Sequence, residues 1–369
     1  MKGPSLLRGT GVFDRLGALV ARGMDAGVRW QLARLPIELP VPESWTPADP
    51  QEFWAASRVH DPAPITAGPV QHRRRGGVEV RTLTGPSQGP GGDPGSRHLA
   101  ATALLRPDRR DLPFVLVVHG LLAPGPWYEE RRCRALVAEG AQAARIDLPL
   151  HLRRHRPGRR SGEGFIQADL AWTREIVRQS VEGCAAVLAW ARREVSDRVE
   201  VCGTSLGGLI AVLLAAHLEL DAVVALAPFC DPAATIIEHL PDRTRRALGL
   251  EGESGGVWGP DREAARVVVR AALAPIVGRT FRPPMTPGER IAIVRPTLDG
   301  VVGDAPMAEL AEAWGAELWS YPQGHVSVLN APGLNARVND WLVTPHPGVA
   351  GTNGRGALTG TPRTTWAAT

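Results

Sequence analysis

The sequence predicts an α/β protein: a mostly parallel central sheet with an initial antiparallel hairpin, helices on both faces and a helical insertion. Three observations lead there. Strand-like and helix-like segments alternate from about residue 114 to residue 342, the pattern of βα units joined by right-handed crossovers. Phe114-Val115-Leu116-Val117-Val118 is a continuous apolar run, which suits a strand buried on both faces of a parallel sheet. Just upstream, two strand-like segments flank a long polar loop, as in a hairpin.

Each element has its own warrant. Residues 5 to 35 place Val12, Phe13, Leu16, Leu19, Val20, Met24, Val28 and Leu32 at helical spacing. Arg and Asp on the polar side, with three internal glycines, favour a helix packed on the main domain over one lying in a membrane surface. Residues 36 to 70 are Pro-rich with Trp45, Phe53 and Trp54, and read as an ordered arm across the core. Val78 to Leu83 alternates, the loop Gly85 to Ser96 turns, and His98 to Leu105 completes the hairpin. Helix 126 to 139 precedes strand Ala143 to Asp147, helix 164 to 193 precedes strand Arg198 to Cys202, and helix 206 to 218 precedes strand Ala222 to Leu226. After two amphipathic helical patterns within 232 to 288 come strand Ile291 to Val294, helix Ala305 to Trp314, strand Glu317 to Tyr321 and helix 327 to 342. The expected organisation is an N-terminal helical arm over 1–74, a main domain over 75–342 with a helical insertion over 232–288, and a disordered Gly/Thr/Pro-rich tail over 343–369.

Composition narrows the function. Hydrophobic residues make up 44% and charged residues 22%, ordinary for a globular domain. The net charge is +4, but Lys2 is the only lysine and the 41 arginines are spread along the chain. Nucleic-acid binding would need a concentrated basic face with aromatics between the charges, so no nucleic-acid partner is expected. The most apolar stretch, Leu209 to Phe229, is interrupted by His217, Glu219 and Asp221, so no integral membrane segment is expected. No signal peptide is apparent, and Cys133, Cys184, Cys202 and Cys230 form no metal-type pair; a cytoplasmic protein with reduced thiols follows. No phosphate loop, dinucleotide fingerprint or His/Cys metal spacing occurs, so neither cofactor nor metal is expected.

The chemistry gathers around Gly203-Thr204-Ser205-Leu206-Gly207, set between strand Val199 to Cys202 and the apolar helix Leu209 to Leu218. The bare Gly-x-Ser-x-Gly pattern is weak; its place between a strand and a helix in a βα series gives it weight. A serine at such a turn takes a strained backbone, and bulk two residues to either side would collide, which calls for glycine at both places. The turn lifts the hydroxyl above the sheet and frees the amide of Leu206 to face an oxyanion. The turn His119-Gly120-Leu121 ends a buried strand, where the amide of Leu121 can face the same charge; His119 itself reads as structural. Asp299 and His325 follow later strands, on the same sheet edge as Ser205. His325 is the expected base and Asp299 the expected acid, with Asp304, a helix cap by position, and Asp231 as rivals.

In order and placement, the His119-Gly120 turn, Ser205, Asp299 and His325 resemble the α/β-hydrolase superfamily over about residues 75 to 342. Trp127-Tyr128-Glu129-Glu130-Arg131-Arg132, Asp147-Leu148-Pro149 and the long helix before the serine are similar to the branch named after abhydrolase domain-containing protein eighteen. That branch tends to carry a Gly-Thr-Gly loop where this chain has His119-Gly120-Leu121-Leu122. The resemblance implies a Ser-His-Asp hydrolase without cofactor, acting through an acyl-enzyme; the superfamily also holds lyases, haloperoxidases and inactive members. A carboxylesterase on small-molecule or lipid esters is the expectation, with a lipase or acyltransferase, or a non-catalytic binding protein of the same fold, as alternatives. Trp127, His151 and Arg154 are candidate substrate contacts. The loop His151 to Arg160, which also holds Arg153, Arg156, Arg159 and Arg160, either attracts acidic substrates or is a solvated loop in an arginine-rich protein. The resemblance implies that 232–288 is a lid, in which Trp258 and Phe281 line an acyl pocket, or which merely packs on the core.

Overall fold

A computed structural model describes residues 11–34, 47–74, 76–87, 89, 96–239, 242–247, 250, 261–281 and 283–346. Trp45, Trp258, the tip of the 85–96 loop and the chain beyond His346 lie outside the described residues. Nine strands form one sheet in the order β1-β2-β3-β5-β4-β6-β7-β8-β9. The first three, β1 (Thr66–Arg74), β2 (Val78–Pro86) and β3 (His98–Leu105), pair antiparallel, and β3 pairs antiparallel with β5 (Gln142–Asp147). From β5 onward, through β4 (Phe114–Val118), β6 (Val199–Thr204), β7 (Ala222–Leu226), β8 (Ile291–Pro296) and β9 (Glu317–Tyr321), every pairing is parallel. Strand ends that carry chemistry therefore collect along one edge.

The helices are α1 (Gly11–Leu32), α2 (Pro50–Ala55), α3 (Trp127–Ala138), α4 (Leu170–Glu194), α5 (Leu206–His217), α6 (Pro232–Glu238), α7 (Asp242–Ala247), α8 (Arg262–Leu273), α9 (Ala305–Trp314) and α10 (Leu334–Val343). All residues of α5 are buried, as befits a helix apolar all round. Deleting one of its leucine side chains should cost about 2–5 kcal/mol. Because α5 starts at the serine, this packing fixes the serine turn to the sheet.

Three boundaries differ from expectation. Residues 66–74, read as part of the arm, form β1 and pair with β2, so the sheet starts before residue 75. Pro69 and Gly68 disguise this strand, and an edge position tolerates both, since a proline there has no ladder partner to lose. The long helix starts at Leu170 instead of 164, because the Asp169 carboxylate caps it by accepting from the Trp172 amide at 2.9 Å. Helix 327 to 342 breaks into a short 3₁₀ turn, Ser327–Asn330, and α10. Pro332 and the left-handed Gly333 (φ 76°) separate them.

Candidate active site

Ser205 joins β6 to α5 with φ 54° and ψ −112°, a conformation that costs a non-glycine residue about 1–3 kcal/mol. Its neighbours hold it there. The Ser205 amide donates to the Leu226 carbonyl at 2.8 Å, and its carbonyl accepts from Leu209 at 3.0 Å and Phe229 at 3.1 Å. A Cβ on Gly203 would fall on the Gly207 carbonyl, and one on Gly207 on the Val118 carbonyl. Glycine at both places thus reflects close backbone approach on each side of the serine.

His325 follows β9 and Asp299 follows β8, and the structure brings both to Ser205. His325 Nε2 lies 2.9 Å from Ser205 Oγ, and Nδ1 lies 2.7 Å from Asp299 Oδ2. The other Asp299 oxygen accepts from the amides of Val301 and Val302, each at 2.9 Å. An acceptor-only carboxylate places the imidazole proton on Nδ1, which leaves Nε2 to accept from the serine hydroxyl. Burial alone would lower the imidazole pKa, but the charge and hydrogen bond of Asp299, with the charge of Asp25, outweigh it and raise the value above 6.5. The rival acids are elsewhere. Asp231 caps α6, accepting from the Ala234 amide at 2.8 Å, and pairs with Arg279 at 3.2 Å. Asp304 sits at the start of α9, 3.7 Å from Arg295.

Leu206 supplies the first amide of α5, which has no acceptor within its own helix. Leu121 follows β4, and Gly120, Leu121, Ser205, Leu206 and His325 border one cavity of about 350 Å³. Two buried imidazoles shape this side. His119 Nδ1 donates to the Gly120 carbonyl at 2.8 Å and its Nε2 accepts from the Leu148 amide at 3.0 Å. His151 Nδ1 donates to the Pro149 carbonyl at 2.8 Å and its Nε2 accepts from Leu122, whose φ is 58°. Burial depresses His119 to about 4 and His151 well below 6.5, so both pins stay neutral.

The cavity is mainly apolar, with Val28 and Leu32 from α1, Ile236 from α6, and Ile166, Val302 and Leu329 around them. Trp127 borders it and is 63% exposed. The other two substrate candidates change role. His151 is fully buried and pins the turn after β4. Arg154 is 4% exposed and points inward, donating to the Asp147 and Ser96 carbonyls and to Ser87. Three more arginines of the loop are also engaged: Arg153 with Asp147, Arg159 with Glu163, and Arg156 over the Trp172 ring. Phe281 packs against Trp54 and His217 in the core, away from the cavity. Cys230 is buried, and its thiol pKa is raised by that burial.

Sequence reasoning missed two acidic residues. Glu129 borders the cavity with Oε2 buried and unbonded, and burial pushes its carboxyl up to about 7 against the pull of Arg145 and Arg132. Asp25, on α1, is 2% exposed and contacts the loops that carry Asp299 and His325. Among the described residues no group of three His, Cys, Asp or Glu side chains is placed to hold a metal ion, and no helix is long and apolar enough to cross a membrane.

No protein-family model matches the chain, and no curated protein does. Solved structures do. Acetyl xylan esterase 1 from a Thermoanaerobacterium species is 16% identical, with a TM-score of 0.57 over 85% of this chain and 97% of that one. An acetyl xylan esterase from a Paenibacillus species is 15% identical, with a TM-score of 0.56 over 84% and 98%. Sheet order, antiparallel start and these likenesses define the fold: this chain has the α/β-hydrolase fold.

Proposed function

We propose that this protein is a serine hydrolase acting on carboxylic esters. The observation that carries the reading is the continuous chain from Ser205 Oγ through His325 to Asp299, at 2.9 and 2.7 Å, opening on an apolar cavity. Ser205 Oγ attacks the acyl carbon while His325 Nε2 takes its proton. The carbonyl oxygen becomes an oxyanion held by the amides of Leu121 and Leu206. Collapse expels the alcohol, which receives the proton from His325 and leaves an acyl-serine. Water then attacks with its proton passing to His325, and the acid departs as the proton returns to Ser205. Asp299 fixes the tautomer and stabilises the imidazolium throughout.

The apolar walls favour an acyl chain over a sugar or a charged group in the pocket, which also supports the second reading, a lipase or acyltransferase on lipid esters. The catalytic unit is the sheet with its helices through residue 342, with α6 to α8 as its lid. The four buried free thiols support a reducing compartment and so a cytoplasmic location. Covalent labelling by a fluorophosphonate probe tests the reading: the parent chain labels and Ser205→Ala does not. A parent that does not label, and turns over no p-nitrophenyl ester of any chain length, is instead a binding protein of the same fold.

A further inference from the structure

Asp25 lies far from the serine turn in sequence but not in space. Its carboxylate accepts from the Gly300 amide at 2.9 Å, the His325 amide at 3.0 Å and the Val326 amide at 3.3 Å. Gly300 adjoins the acid and His325 is the base, so one side chain ties together the two loops whose spacing sets the Asp299–His325 bond. It is buried to 2% exposure, and among the described residues no arginine pairs with it. A buried carboxylate without a cation is costly unless its lone pairs are filled; here backbone amides fill them. The fit is close on both sides. A Cβ on Gly324 would come within 2.7 Å of Asp25 Oδ2 and 2.9 Å of its Cγ, and one on Gly300 within 3.6 Å.

We propose that Asp25 is a positioning residue for the reaction, clamping the acid loop and the base loop together and placing a second negative charge behind the His325 imidazole. The proposal rests on the serine-hydrolase reading for its kinetic consequence but not for its geometry. The clamp makes α1 part of the working site: the helix that walls the cavity with Val28 and Leu32 also sets the acid–base pair. The charged groups acting on the imidazole are Asp299, from the loop after β8, and Asp25, from α1; the serine turn contributes only a hydroxyl.

The test pairs substitutions. Asp25→Asn keeps size, removes the charge and turns an NH₂ group toward backbone donors. It should lower kcat about 10- to 100-fold, the usual range for a lost outer-shell partner, with KM little changed. It should also move the acidic limb of kcat/KM to lower pH, since a charge favouring the imidazolium is gone. Asp25→Glu keeps the charge, so it should lose kcat but keep the limb in place. Gly324→Ala should mimic the loss by displacing Asp25, yet cost nothing further in an Asp25→Ala background, where the obstruction is absent. Equal cost in both backgrounds, or an unmoved limb in Asp25→Asn, overturns the proposal.

Turnover is not required for the decisive reading. In Ser205→Ala protein, nitrogen-15 NMR of the His325 ring follows the same proton. Introducing Asp25→Asn, or Gly324→Ala if Asp25→Asn does not fold, should lower the His325 pKa. Coincident titrations reject the positioning role even if the chain proves to be no hydrolase. Loss of ester turnover by the parent would instead reject the hydrolase reading and leave the titration to judge Asp25.

Discussion

The two sides of Ser205 are built from opposite materials. The His325 side, after β8 and β9, uses charge: the Asp299 and Asp25 carboxylates lie beside His325 and raise its pKa. The Leu121 side, after β4 and β5, uses buried imidazoles that burial keeps neutral, His119 at about 4 and His151 well below 6.5. The same residue type thus serves two ends. A histidine beside a carboxylate is ready to take a proton; a histidine between a carbonyl and an amide is a neutral pin that both donates and accepts. A titrating imidazole behind the turn after β4 would change its charge with pH, whereas neutral pins leave that turn unchanged while His325 titrates.

The largest effect expected breaks the charged side. Ser205→Ala, His325→Ala and Asp299→Asn should each reduce kcat by about 10⁴-fold or more. Asp231→Asn and Asp304→Asn should leave kcat within about threefold, since one caps a helix and the other lies at a helix start. Steady-state rates on one ester, with the melting temperature of each variant, decide the matter. A severe Asp231→Asn would move the acid to the loop after β7.

The next effect concerns the neutral side and is a stability. His119 is held near 4 when folded and returns to about 6.5 when unfolded. Between those values the unfolded chain binds the extra proton, so stability is full above 6.5 and falls as pH drops toward 4. The loss approaches about 3 kcal/mol at the acid end. His217, depressed to about 3, acts in the same direction. Urea unfolding at several pH values between 4 and 8 should show this decline. His119→Asn, though less stable at neutral pH, should show a shallower one, and an unchanged slope would clear His119 of the effect.

The two sides also differed in how far the sequence revealed them. Ser205, Asp299 and His325 were legible because each follows a strand, and because Gly203 and Gly207 mark a turn whose crowding is local to a few residues. Asp25 was not legible: its partners are backbone amides 275 to 301 positions away, and an amide leaves no trace in residue type. His151 and Arg154 were visible but misread. Their surroundings look like a solvated arginine loop, and nothing in the spacing says that the Asp147 carboxylate lies fully buried beneath it, between Arg145 and Arg153. β1 escaped for another reason: an edge strand with Gly68, Pro69 and register shifts lacks the alternation by which β2 was recognised.

A smaller effect sharpens the neutral side. His151→Leu keeps the volume roughly but leaves the Leu122 amide without its acceptor, and so loosens the turn that carries Leu121. One imperfectly placed oxyanion donor should cost about 10-fold in kcat, less than outright removal of a donor. KM should change little, because the ring itself does not touch the cavity. Pre-steady-state acylation with a p-nitrophenyl ester isolates the step. A variant that acylates at the parent rate would show that Leu121 is held by other contacts.

The smallest effect is expected in the arginine loop. Several of its side chains already have partners: Arg153 engages Asp147, Arg159 engages Glu163, and Arg154 is turned inward. A paired cation projects little field into solvent beyond the Debye length, about 10 Å at 0.1 M salt. Substrate steering by this loop should therefore be weak. Arg153→Gln should leave kcat/KM within about twofold for both a succinyl monoester and a neutral ester of equal length. Their ratio should follow the parent's as salt rises until the Debye length is about 3 Å. Arg154→Gln should act differently, lowering the melting temperature with the ratio intact, because it removes a charged donor from the Asp147 carbonyl and leaves the Ser96 carbonyl to Gln179 alone. A ratio that collapses in Arg153→Gln at low salt would make the loop an electrostatic guide after all, and the Leu121 side of the serine could no longer be described as the neutral one.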